Sequence, residues 1–116
     1  DLRLPSGKLD DLAYALGWSG AALKTCKGHT ATLLMIAKTV EAGKTYSVQD
    51  LTNPAWSYLH SAGLAARTDP ILGFEANARQ FIPAANLAAA ERFPGLFAIK
   101  NGEVSTKGLL PVGLGY

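Results

Sequence analysis

The apolar positions of this chain fall into short periodic runs that glycine and proline separate. Leu9, Leu12, Ala13 and Leu16 recur at intervals of three, one and three, which predicts a helix over 9–16 with one apolar face, ended by Gly17. Asp10 and Asp11 sit near its start, where the helix dipole favours negative charge. Ser19 is placed to cap a second short helix reaching Cys26, which Lys27-Gly28 closes. The most apolar stretch comes next, Ala31 to Val40 behind a Thr30 cap. Its stripe of Leu33, Ile36, Ala37 and Val40, widened by Leu34 and Met35, predicts a helix at the centre of the core.

Beyond Gly43, Lys44-Thr45-Tyr46 predicts a brief strand, and Ser47 with Asp50 three residues on has capping-box spacing for a short helix. Asn53-Pro54 opens a further helix through Ala62 that Gly63 ends. Strands are expected at 64–67 and near 80–82, with an edge strand or an extended arm at Leu2-Arg3-Leu4. A helix at 87–92 stands behind an Asn86 cap, and Asn101-Gly102 predicts a hairpin between 96–100 and 103–106. The pattern describes a mainly α fold with small β-hairpins, one compact domain in three parts, 1–29, 30–85 and 86–116.

The run from Leu9 to Cys26 resembles the helix-turn-helix of DNA-binding proteins. Ala13 stands where the helices cross, Gly17 at the turn, and Leu12, Leu16, Trp18, Leu23 and Cys26 at the packing positions. The resemblance implies a recognition helix over 19–25 and makes Ser19, Gly20, Ala21, Lys24, Thr25 and Lys27 candidate contacts to double-stranded DNA, the lysines to phosphates. The segment 31–82 resembles a winged helix, with the run Tyr58 to Leu64 and Arg67 as the end of a recognition helix and the first wing strand. That likeness adds Lys44, Trp56, Ser57, His60 and Arg67 to the candidate interface.

Charge sharpens this reading. The chain carries 11 basic and 9 acidic residues, a net +2, but residues 19–46 alone hold +3 from Lys24, Lys27, Lys38 and Lys44 against Glu41. The helix from Pro54 to Ala62 has no Lys or Arg, so its Trp56, Tyr58 and His60 suit a protein partner as well as DNA. A helix-turn-helix and winged-helix DNA-binding domain, such as a transcriptional regulator or mobile-element protein, is therefore expected. The alternatives are an interaction or dimerisation module using Trp56, Tyr58 and the apolar tail 109–116, and a target-recognition domain of a larger restriction or recombination enzyme. The start at Asp1 and not at a methionine fits such an excised piece.

Catalytic chemistry is sparse. Gly43-Lys44-Thr45 imitates the end of a phosphate-binding loop, but the earlier glycine is replaced by Lys38. His29 and His60 are far apart in sequence and Cys26 is the lone cysteine, so no metal-ligand spacing exists and no cofactor is expected. Cys26 itself is expected to be a small buried hydrophobe in a reducing, cytoplasmic compartment. The stretch 30–40 is far shorter than the roughly 20 residues of a membrane span. These observations predict a chain that binds without catalysing.

Overall fold

A computed structural model describes residues 6–71, 73–109 and 113, and they form a mixed α/β fold. Helix α1 (Ser6–Ala15) leads to strand β1 (Gly20–Lys24), a 3-10 turn at Thr25–Lys27 and helix α2 (His29–Glu41). Strand β2 (Thr45–Gln49), helix α3 (Trp56–Ala65) and the short strand β3 (Phe74–Glu75) follow. The chain then winds through α4 (Ala78–Phe81), a 3-10 turn at Pro83–Asn86, α5 (Leu87–Arg92) and α6 (Pro94–Phe97).

The three strands pair in parallel in chain order, with Leu23 opposite Val48 and Val48 opposite Phe74. Parallel neighbours need long crossovers, which α2 and α3 supply. One sheet face carries Leu23, Tyr46 and Val48, buried beneath Met35 and Ile36 of α2 and Ala65 of α3. The other face presents Ala22, Ser47 and Gln49, small or polar, and none of these is buried. A second core joins Tyr58, Leu59 and Ala62 of α3 to Ala89, Phe93, Leu96 and Leu109. Helix α3 thus ties the sheet to the C-terminal helices, and Tyr58 fixes that join by donating to the Leu96 carbonyl at 2.7 Å.

Two buried polar side chains clamp the loop after β2. Asp50 accepts from the Thr52 N–H and the Ala78 N–H, both at 2.8 Å. Asn86 accepts from the Ala55 N–H at 2.8 Å and donates to the carbonyls of Ala78 and Ile82. The loop needs this restraint, because Leu51, Thr52 and Ala55 all have φ between 52° and 61°, a region costly for side chains.

Several local expectations hold. Helix α1 ends in a 6→1 bond from the Trp18 N–H to the Ala13 carbonyl, with Gly17 at φ 93°. Helix α2 ends the same way, Lys44 donating to Thr39 with Gly43 at φ 64°. Helix α5 spans the predicted residues. Asn101 and Gly102 both have positive φ and close a reciprocal Lys100–Glu103 bridge, although 96–97 belong to α6 and the hairpin is a single bridge long.

The larger expectations are corrected. Residues 20–24, read as a recognition helix, are a strand, and Ser19 caps nothing. Their Ala, Leu and Lys favour a helix only weakly over so short a run, and pairing along the whole length of β2 outweighs that preference. Of the five packing residues of the motif, only Leu23 is buried. Leu12, Leu16 and Trp18 are exposed, as is Cys26. Residues 47–49 of the expected capping box are also strand, because Tyr46 and Val48 alternate into the core, and Asp50 clamps the loop that follows. The wing strands do not form: 64–65 close α3, which runs through the buried Gly63, and 80–81 belong to α4. Asn86 makes no cap and is the loop clamp instead.

Helix α2 also turns a different flank inward: of the expected stripe, Ile36 packs on the core, with Met35 beside it, while Leu33, Ala37 and Val40 are exposed. Leu33 and Val40 are more than half exposed, and the buried positions are Thr32 and Thr39 with Met35 and Ile36 beside them. The threonines satisfy their hydroxyls on the Gly28 carbonyl at 2.9 Å and on Tyr14 Oη at 2.6 Å. The Leu2-Arg3-Leu4 strand lies outside the described residues. So does most of the tail, of which Leu109 is buried in the second core and Gly113 lies in a turn.

Candidate functional site

Beside the outer edge of β1 runs a groove of about 610 Å³. Ala22, Leu23 and Lys24 form one wall, and Ala31, Leu34, Met35 and Lys38 of α2 the other. The spacing of three, one and three on α2 sets those four on one helical flank. Asp10 of α1 and Lys27 of the 3-10 turn also line it. Among the described residues β1 pairs with β2 alone, so it is an edge strand. Leu34 is 66% exposed over the groove. The floor is aliphatic and the rim holds three lysines. Lys38 is ion-paired with Asp11 at 2.8 Å, fastening α1 to α2 and leaving the Lys24–Lys27 end the more positive one.

A second cluster lies where β1 and β2 end, at the edge of a parallel sheet where ligands often bind. The His29 ring at the start of α2 meets the His60 ring of α3 edge-on, with centroids 4.6 Å apart. Burial and the neighbouring His29 hold the His60 pKa below its ordinary value. His29 Nε2 and Ser57 Oγ are buried without a hydrogen-bond partner. The Thr25 and Ser61 hydroxyls bond to each other at 2.7 Å, fastening the 3-10 turn after β1 to α3. Thr25, Ser61 and Asp50 are thus engaged in holding the fold. No group of three or more metal-binding side chains occurs among the described residues.

The structure scatters most of the expected DNA contacts. Lys24 and Lys27 share the groove. Ser19 is exposed, and its carbonyl accepts from the Thr45 N–H and hydroxyl. Gly20 presses on Thr45, Ala21 packs in the first core and Thr25 is buried. His60 belongs to the imidazole pair, and Ser57 lies one turn before it on α3. Trp56 stands edge-on to Phe93 with the Arg92 guanidinium 5.6 Å above its ring. Lys44, before β2, and Arg67, which donates to the Gly63 carbonyl, lie at the other end of the sheet from Lys24. Tyr58, expected on an interaction surface, is fully buried, and burial raises the pKa of its hydroxyl. Leu34, Met35 and Lys38 were not among the expected site residues, because the groove depends on which way α2 faces.

Comparison with protein-family models, with curated proteins and with solved structures finds no match to this chain. No helix among the described residues is long and apolar enough to cross a membrane.

Proposed function

We propose that the chain is a protein-interaction module that binds and does not catalyse, with the lysine-rimmed groove between β1 and α2 as its working surface. The observation that carries this reading is the composition of the groove: an open aliphatic floor with Leu34 exposed over it, and charge confined to the rim. An exposed leucine and a half-buried methionine beside a strand edge gain most from a partner that brings apolar side chains. Leu12 of α1, and Leu16 and Trp18 just after it, are further exposed apolar side chains.

A second reading, double-stranded DNA, is favoured by the convergence of Lys24, Lys27 and Lys38 on one groove. It has lost the recognition helix, and lysines over an aliphatic floor offer phosphate contacts without base reading. Selection from a random peptide library, counter-selected on Leu34→Glu, tests the first reading. Peptides that need Leu34 support it. The DNA reading takes over if no peptide is enriched while a mixed-sequence duplex binds with a salt dependence that Lys24→Ala and Lys27→Ala each flatten by about one counterion.

A further inference from the structure

We infer that the groove takes an extended acidic peptide segment, which adds to the sheet as a fourth strand beside β1. The inference rests on the protein-interaction reading and names the partner and its mode of binding. The Thr45 N–H donates to the Ser19 carbonyl at 3.1 Å, so the peptide groups of residue 19 point toward β2. Strand geometry then turns those of Ala21 and Leu23 the same way and those of Gly20, Ala22 and Lys24 outward. The register agrees, since Ala21 and Leu23 stand opposite Tyr46 and Val48. The Lys24 carbonyl is reached at 3.4 Å by the Thr32 hydroxyl of α2, which places it on the groove side. The outward edge is therefore a row of backbone donors and acceptors, flanked on one side by Leu34 and Met35.

An added strand places alternate side chains against that flank and the others toward solvent beside Ala22. Apolar residues suit the first set. Acidic residues suit the end near Lys24 and Lys27, while the other end, with Lys38 already held by Asp11 and Asp10 nearby, offers no net attraction for an acid. A helix would leave the strand edge unused. Duplex DNA would leave the aliphatic floor uncovered.

The probe is a fluorescein-labelled peptide of alternating valine and threonine ending in two glutamates, followed by anisotropy on the full chain. Three changes are each expected to weaken binding about tenfold or more: N-methylation of alternate peptide amides, Ala22→Pro, and the double change Lys24→Glu with Lys27→Glu. Ala22→Pro removes an outward N–H from an edge strand, a place where proline is tolerated. Its melting curve checks that it folds, and the N-methylated peptide gives the same information on the unaltered protein. Replacing the peptide glutamates with lysines restores affinity to the charge-reversed protein. Strand addition is overturned if N-methylated and plain peptides bind alike. If they do so while charge reversal still weakens binding, the groove remains a binding surface without strand pairing. If charge reversal and Leu34→Glu both leave peptide binding unchanged, the protein-interaction reading of the groove falls as well.

Discussion

Gly20 lies so close to Thr45 that a Cβ at position 20 would sit 2.2 Å from the Thr45 carbonyl oxygen. The neighbour is backbone in the adjacent strand and cannot swing aside. Gly20→Ala is therefore expected to destabilise the fold by about 1–3 kcal/mol, as over-packing does. On a solvent-facing helix the same change would stabilise by about 0.5–1 kcal/mol. The sign of the shift in urea midpoint separates a parallel strand at 20–24 from a recognition helix.

Asp50 holds two backbone N–H groups, one from its own loop and one from the start of α4. An asparagine accepts through one oxygen only and turns its amide toward the other N–H. Asp50→Asn is expected to cost about 1–3 kcal/mol, the usual penalty for an unsatisfied buried group. Urea unfolding measures the loss, and faster exchange of the Ala78 amide locates it.

The paired imidazoles give a pH dependence. Burial and His29 lower the His60 pKa, so below its ordinary value of 6.5 the unfolded chain takes up a proton before the folded one does. Stability on this account is full above about pH 6.5 and falls as the pH drops toward the folded value. The urea midpoint is expected to be lower at about pH 5.5 than at about pH 7.5, and His60→Gln is expected to reduce that difference. An unchanged slope in His60→Gln would remove His60 as its source.

Features set by neighbouring residues were legible in the sequence: the glycine-ended helices α1 and α2, the α5 span and the Asn101-Gly102 turn. The sheet was not, because its pairings join 20–24 to 45–49 and 48–49 to 74–75, and nothing in the Gly-Ala-Ala-Leu-Lys run distinguishes a strand from a turn of helix. The orientation of α2 was hidden too. Leu33, Leu34 and Val40 outweigh Thr32 and Thr39 in hydropathy, yet the threonines face inward once Gly28 and Tyr14 bond their hydroxyls. For the site, the +3 of residues 19–46 led to Lys24 and Lys27, while the aliphatic wall beside them depended on that orientation.

That orientation has its own test. Leu33 is 52% exposed and Leu59 fully buried. Leu33→Ala is expected to change stability by no more than about 0.5 kcal/mol, against about 2–5 kcal/mol for Leu59→Ala. Similar losses at both positions would mean that α2 buries its leucine face.

The central claim is that β1 offers an open strand edge to the groove, and residue-resolved amide hydrogen exchange tests it most directly. The Ala21 and Leu23 amides are expected to be protected and the Ala22 amide to exchange fast in the free chain. Adding the valine–threonine–glutamate peptide is expected to slow Ala22 selectively. Equal protection of all three amides in the free chain, or an Ala22 amide that saturating peptide leaves unchanged, would contradict it.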